Sequence, residues 1–374
     1  MSLAAAPPLT MIQGGQVEQQ LAGAEALARD NAHEAALAQL ELLWPEVRNI
    51  APLAFRHRLA SAWSEMYRGR LDVAADLLSH ADAIASSSAL DAADRAAVLH
   101  RQGCVALKRS EVSEAISLFT RALETNARSA RPSTLLAAEV RNWRSRCYQR
   151  QRDWDPAARD AEASLELATA AGCERSRAHA MFQASLVAER QSEWLLARFH
   201  AEEALAIYRS HDDTLSTARI LNNLGGIDFL LGDVEAAEAT LRDAASLAAQ
   251  AGSDPDVAQA TSSLAQVLLS SGRAIEAREC AHAALALLAG RTDFLEERGN
   301  AQLVVAKTHA EELNDVSTNA WLDRAAETFT ELASTSHLAA VSIVRGDLAR
   351  AFGDEQAAAD HYRHAAASLQ DFHF

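Results

Sequence analysis

The segment GDVEAAEATLRDAASL, residues 232–247, decides the fold, because close variants of it recur along the 374-residue chain. EVSEAISLFTRALETN occupies residues 111–126, and GDEQAAADHYRHAAASL occupies residues 353–369. All three place small apolar side chains two helical turns apart, where they share one face of a helix. This self-similarity predicts that the chain is an array of one repeated helical segment.

One mostly small residue marks the repeat, since it recurs every 39 to 42 residues along the chain. Seven residues earlier, most repeats carry an alanine, and a larger residue between the two would lock closely approaching helices. The eighth repeat carries Thr318 instead, and its segment EELNDVST is expected to be irregular. The later positions are Leu42, Ala81, Ala122, Ser164, Ala204, Ala244, Ala284, Ala325 and Ala365, and the earlier ones are Ala35, Ala74, Ala115, Ala157, Ala197, Ala237, Ala277 and Ala358.

Short breaks such as Gly232-Asp233 divide each repeat into two helices, because glycine can end one helix and aspartate can cap the next. The predicted fold is all-α: a right-handed superhelical solenoid of about nine antiparallel helix pairs over residues 17–374, after a flexible leader at 1–16. The apolar residues Leu369, Phe372 and Phe374 end the last helix. We expect this end to fold back as a cap or to pair with another chain in a homodimer.

Composition narrows the classes of partner. Hydrophobic residues make up 49% of the chain and aromatic residues only 5%, which favours closely packed helices over a β-sandwich. A net charge of −16 repels phosphate backbones, so direct nucleic-acid binding is not expected. No apolar run approaches the roughly 18 residues that a membrane span needs. The four cysteines form no CxxC pair, which favours a reducing, cytoplasmic location.

The sequence resembles the tetratricopeptide repeat family, in which a leucine-glycine step lies on the first helix and small residues lie on the second. The best match is Asn222 to Gly225 followed by Gly232-Asp233, and Gly23, Gly103 and Gly346 stand at the matching glycine position. The repeat of about 40 residues is similar to long-helix variants in bacterial regulators and peptide receptors. More loosely, the array looks like the C-terminal repeats of Xre-type helix-turn-helix regulators, although only about sixteen residues precede the first repeat.

In such a solenoid the first helices line the groove, and the repeat register places polar side chains there. Amides can clamp the backbone of an extended peptide, and the resemblance implies this role for Asn142, Asn222 and Asn223. Arginines can bind carboxylates or phosphates. The alternative interpretation is an ordinary solvated groove. The candidate ligand-binding residues are Arg101, Asn142, Arg146, Arg150, His179, Gln183, Arg219, Asn222 and Asn223.

The stretch RNWRSRCYQRQR, residues 141–152, holds five arginines and no acid in an acidic chain. Helical spacing places Arg146 and Arg150 together, where they could anchor a peptide carboxylate or acidic side chains. The competing interpretation is a set of salt bridges to acidic neighbours. The neighbours considered are Glu139, Asp155 and Glu189.

No catalytic, cofactor or metal motif stands out, since P-loop, GxGxxG, GxSxG and HExxH patterns are absent. We therefore expect no enzyme activity, cofactor or metal. The preferred interpretation is a peptide- or protein-binding module of a bacterial transcriptional regulator or signalling receptor. The alternatives are a constitutive scaffold for protein complexes and a regulator that promotes dephosphorylation of a signalling protein.

Overall fold

The computed structural model describes residues 11–88, 90–291 and 294–370, and in these residues it contains eighteen α-helices and no strand. The chain divides into two compact units, residues 1–191 with α1 to α9 and residues 192–374 with α10 to α18. The helices are α1 Met11–Arg29, α2 His33–Val47, α3 Ala51–Tyr67, α4 Leu71–Ser87, α5 Ala92–Lys108, α6 Val112–Ala127, α7 Thr134–Gln151, α8 Trp154–Ala170, α9 Glu174–Arg190, α10 Trp194–Ser210, α11 Thr214–Leu230, α12 Val234–Gln250, α13 Asp254–Ser270, α14 Ala274–Leu287, α15 Leu295–Glu311, α16 Asp315–Glu331, α17 Thr335–Ala351 and α18 Glu355–Gln370.

The all-α prediction and the pairing of helices are confirmed. The helix α1 begins at Met11 and so includes the last six residues of the segment expected to be a leader. Of the apolar residues at the C-terminus, Leu369 is 36% exposed, whereas Phe372 and Phe374 lie outside the described residues. No helix in the described ranges is long and apolar enough to cross a membrane.

Within each unit, the second helix of one pair packs against the first helix of the next pair, and the first helices also contact each other. The contacts between first helices join α1 to α3, α3 to α5, α5 to α7 and α7 to α9 in unit 1, and α11 to α13, α13 to α15 and α15 to α17 in unit 2. Across the described ranges, no even-numbered second helix packs against another second helix. The first helices are therefore the more closely spaced layer, and they form the inner wall of each unit.

The small-residue stripe predicted for the second helices is buried. From the second repeat onward its members are at most 3% exposed, and Thr318 is fully buried with its hydroxyl donating to the Asn314 carbonyl. The prediction was wrong for the first repeat, where Leu42 is 78% exposed. There α2 buries Ala36 and Leu43 instead, one residue later, so a seven-residue spacing alone did not fix the register.

Glycines on the first helices face large residues on the second. A Cβ atom on Gly103 would lie 2.6 Å from the Phe119 ring, and one on Gly225 would lie 2.6 Å from Leu241. This close approach explains why the middle position of the stripe varies in size: where the first helix has no side chain, the second helix fills the space.

The connectors within pairs follow the predicted chemistry. Gly232 adopts a left-handed φ of 86°, and the Asp233 carboxylate accepts a hydrogen bond from the Ala236 amide. The eighth pair uses the same device, because Leu313 has a φ of 53° and Asn314 caps α16. Despite its unusual sequence, this pair has two helices of 17 residues each, like most of its neighbours.

Candidate ligand-binding walls

The inner wall of unit 1 combines arginines with aromatic rings. The Arg101 guanidinium lies 3.7 Å from the centre of the Trp63 ring, and that of Arg146 lies 4.3 Å from the Trp143 ring. The two tryptophans meet edge to face with their centres 6.0 Å apart. We call these four residues the unit 1 wall. Cation–π stacking holds both guanidinium groups in place while leaving their N–H donors available.

The arginine stretch contains two kinds of arginine. Arg141 and Arg144 both bind the Asp160 carboxylate, which is 3% exposed, at 2.8 and 2.6 Å. Salt bridges are therefore one of its roles, and the acid that Arg141 and Arg144 bind is Asp160, which was not among the three acids considered from the sequence. Arg144 also donates to the Thr120 hydroxyl.

Arg146 and Arg150 differ from these two, because neither binds a carboxylate in the described part of the chain. Arg150 is exposed and donates to the Leu107 carbonyl at 3.0 Å. Partial desolvation and the nearby charge of Arg146 both lower the pKa of Arg150. Two cations thus lie close together without a counterion, which is an arrangement that an anionic ligand would stabilise.

Arg101 is less available than the sequence suggested. It lies near Glu139. Burial raises the pKa of Glu139, and the charges of Arg101 and Arg29 oppose this rise. Because Glu139 already faces two cations, part of the charge of Arg101 is balanced within the protein. Arg101 therefore supports the unit 1 wall more than it offers a free anion site.

The other predicted residues of unit 1 are an amide, a second amide and a histidine. Asn142 is 9% exposed, and its amide nitrogen Nδ2 has no hydrogen-bond partner among the described residues. The Gln183 oxygen accepts a hydrogen bond from Gln149 at 3.2 Å. His179 is exposed on α9. A buried amide donor without a partner is costly, so Asn142 is the amide in this unit most suited to a ligand carbonyl.

Three predicted residues belong to unit 2. Arg219 is already engaged, because its guanidinium forks onto the Asp256 carboxylate at 2.7 and 3.0 Å. The Asn222 oxygen Oδ1 is buried without a hydrogen-bond partner in the described ranges, and Asn223 is 7% exposed. That all nine candidates share one surface remains a prediction.

Sequence reasoning missed a cavity of about 530 Å³ in the inner wall of unit 2, between the first helices α11, α13, α15 and α17. We call it the unit 2 cavity. Its apolar lining includes Phe229, Leu269, Val304, Val344 and Leu348.

Polar and charged side chains also line this cavity, among them Gln266, Lys307, Glu311 and Asp347. Asp347 accepts a hydrogen bond from the Tyr362 hydroxyl at 2.7 Å and forms an ion pair with Arg350 at 3.3 Å. Desolvation lowers the pKa of Lys307, and the charge of Asp347 opposes that shift. Across the described residues, no cluster of three histidine, cysteine or acidic side chains could hold a metal ion.

Residues 216–289 match the family model of the tetratricopeptide repeat. No curated protein sequence matches the chain. Three solved structures share its fold at 13–14% identity. The quorum sensor NprR from B. thuringiensis, in its apo form, has a TM-score of 0.68 and 13% identity, with 95% of this chain and 99% of that chain covered.

The second is the Rap conjugation gene regulator of the plasmid pLS20 in complex with the Phr* peptide, with a TM-score of 0.61, 13% identity and 95% of each chain covered. The third, aspartyl phosphate phosphatase F from Bacillus subtilis, has a TM-score of 0.61 and 14% identity, with 98% of this chain and 96% of that chain covered. Identities this low establish the fold alone. Residues 216–289 thus match the tetratricopeptide repeat, and the helix pairs of the described chain share the fold of these helical solenoids.

Proposed function

We propose that this protein binds an extended acidic peptide, or an acidic segment of another protein, at Arg146 of the unit 1 wall and at the neighbouring Arg150. The observation that carries the proposal is that these two neighbouring guanidinium groups have no carboxylate partner among the described residues. Elsewhere in the same stretch, Arg141 and Arg144 share a buried aspartate as their ion-pair partner.

The surroundings of the two arginines suit an extended segment. The ring of Trp143 orients Arg146, so little side-chain entropy is lost when its donors bind a carboxylate. The amide of Asn142 lies one residue before Trp143 and can donate to a main-chain carbonyl of the ligand. A net charge of −16 repels acidic ligands from the rest of the surface, so binding would be confined to this locally basic site.

The structural likeness supports a binding role, since a solenoid of this fold has been solved with the Phr* peptide bound. In this proposal the chain is a cytoplasmic, non-enzymatic interaction module of a regulator, and its ligand alters how it engages a protein partner. The three amides Asn142, Asn222 and Asn223 remain proposed backbone contacts, and His179, Gln183 and Arg219 remain proposed as weaker contributors.

The test uses the double variant Arg146→Gln/Arg150→Gln and a library of short peptides rich in aspartate and glutamate. Calorimetry at low salt should show at least a tenfold loss of affinity, because two charge-assisted hydrogen bonds are removed. The loss should shrink as salt screens the interaction.

The matched control is Arg121→Gln/Arg159→Gln, which removes the same charge from exposed positions on second helices of the same unit. This control should bind like the wild type. Equal affinity of both double variants would contradict the proposal and would favour a scaffold whose contacts lie on the second helices.

A regulator that promotes dephosphorylation is the second candidate, because one solenoid of this fold is an aspartyl phosphate phosphatase. Under this candidate, the protein should shorten the lifetime of the phosphoaspartate on a response regulator. The measurement is loss of labelled phosphate from a purified phosphorylated response regulator with and without the protein. An unchanged lifetime across the response regulators of the host would exclude it.

A further inference from the structure

The unit 2 cavity has the size and lining of a small-molecule site. Its volume of about 530 Å³ falls within the range of roughly 300–1,000 Å³ that such sites occupy. The apolar lining comes from Phe229 on α11, Leu269 on α13, Val304 on α15, and Val344 and Leu348 on α17. Because the lining belongs to four helices packed in sequence, the cavity is a property of the repeat stack and not of one loop.

Only one of the three charged groups at this cavity, Asp347, forms a hydrogen bond or ion pair with a described residue, and its charge also acts on Lys307. The charge of Asp347 is accounted for by Arg350 and the Tyr362 hydroxyl. Lys307 and Glu311, by contrast, make no hydrogen bond or ion pair with any described residue. They stand four residues apart on α15, which places their Cβ atoms about 5–6 Å from each other on one face.

We propose that the unit 2 cavity binds a small apolar zwitterion, a dipeptide with apolar side chains and free termini, whose carboxylate pairs with Lys307 and whose ammonium pairs with Glu311. The apolar body removes the surfaces of Val304, Val344 and Leu348 from water. Each terminus of the ligand supplies a direct ion-pair partner, which neither side chain has among the described residues.

Other ligand classes satisfy this arrangement less well. A neutral apolar molecule would leave the Lys307 ammonium and the Glu311 carboxylate without a direct partner, and a simple carboxylate would meet Glu311 and Asp347 as like charges with no ammonium of its own to offset them. The interior of a longer peptide carries neither charge. A ligand with opposite charges at its two ends and an apolar body complements both the apolar lining and the two charged side chains, Lys307 and Glu311.

The experiment measures binding of leucyl-phenylalanine to the whole protein by calorimetry, beside its N-acetyl and C-terminal amide derivatives. Blocking either end should weaken binding about tenfold or more. Lys307→Met should weaken the free dipeptide but not further weaken the amide, and Glu311→Gln should weaken the free dipeptide but not further weaken the acetylated form. This cross-pattern assigns each charge to its partner.

Two further variants keep the test interpretable. Ala351→Trp places a bulky ring at an exposed lining position at the end of α17 and should abolish binding without disturbing the core. Glu279→Gln removes a charge from an exposed second-helix position in the same unit and should bind like the wild type. Retained binding in Ala351→Trp would place the site elsewhere and overturn the proposal.

The proposal is also overturned if the dipeptide does not bind at millimolar concentration, or if a doubly blocked dipeptide binds as well as the free one. The latter result would indicate that the cavity takes an internal segment of a longer peptide. The double variant Arg146→Gln/Arg150→Gln should leave dipeptide affinity unchanged, so this site and the acidic-peptide site can fail independently.

Discussion

The inner walls of the two units use the same repeat position for different purposes. Counted from the first residue of each helix, Trp143, Arg146 and Arg150 in α7 occupy the places of Val304, Lys307 and Glu311 in α15. In unit 1 a large indole fills its surroundings and carries a stacked arginine. In unit 2 the smaller valine borders a cavity.

This difference shows that the repeat determines the backbone and the buried small-residue stripe of the second helices. The chemistry of each inner wall depends instead on three or four side chains per first helix. An array of nearly identical helix pairs can therefore carry a cationic surface in one unit and an amphipathic cavity in another. The following predictions separate the packing that both units share from the wall chemistry that they do not.

The largest effect is expected from Trp143→Ala. Trp143 is 7% exposed and packs in the core of unit 1, so its loss should lower the free energy of unfolding by about 3–5 kcal/mol. The equivalent change in unit 2, Val304→Ala, removes far less surface and should cost roughly 2 kcal/mol or less. Urea titrations followed by circular dichroism compare the two. Similar losses would mean that the two walls are equally packed.

Next in size is Asp160→Asn. This buried carboxylate forms ion pairs with both Arg141 and Arg144, so removing its charge should destabilise the protein by about 3 kcal/mol. Asp256→Asn in unit 2 is the matched change, because Asp256 accepts from a single, more exposed arginine, Arg219, and should cost less than Asp160→Asn. Urea midpoints measured in parallel provide the test, and equal costs would remove the distinction between the two ion clusters.

These ion clusters show what the sequence could and could not predict. The helix pairs and the buried stripe were predictable because a 40-residue period repeats the same steric requirement in every pair. The partners of the arginines were not, because Asp160 lies on a second helix and Asp256 lies in the first turn of the next first helix. Aligning first-helix starts would have placed Arg219 near Asp256. The unit 2 cavity depends on small side chains on several helices together, for which no single residue is a signal.

The packing shared by both units is tested by Gly103→Ala in unit 1 and Gly225→Ala in unit 2. Each new methyl group would lie 2.6 Å from a large side chain, Phe119 or Leu241, so both should cost about 1–3 kcal/mol. Thermal or urea unfolding of the two variants should give similar losses. A loss confined to one unit would show that the units do not pack alike.

Part of the loss of stability at acid pH should come from His100 in unit 1. His100 is 1% exposed, and its Nε2 atom has no hydrogen-bond partner among the described residues. Burial holds the pKa of His100 well below its ordinary value of 6.5, so the unfolded chain binds the proton first as pH falls. Stability from this residue is complete above about pH 6.5 and falls below it by roughly 1.4 kcal/mol per pH unit.

The variant His100→Gln should remove that part of the pH dependence while the contributions of other histidines remain. Urea titrations at pH 7.5, 6.5 and 5.5 on both proteins give the two slopes. If the free energy of unfolding falls equally steeply with pH in the variant and the wild type, His100 does not contribute to the pH dependence of stability. This conclusion holds even if the two proteins differ in stability at pH 7.5.

The smallest effect is expected at Gly226, which in α11 occupies the place of Arg146 in α7 and Lys307 in α15. A Cβ atom there would meet no heavy atom within 4 Å, unlike one on its neighbour Gly225. Alanine loses less backbone entropy than glycine when a helix forms, so Gly226→Ala should stabilise the protein by about 0.5–1 kcal/mol. We expect the urea midpoint to rise for Gly226→Ala and to fall for Gly225→Ala. This result would show that Gly225 packs against the second helix, whereas the adjacent Gly226 faces open space. A fall of the urea midpoint for both variants would show that α11 is closely packed at Gly226 as well as at Gly225.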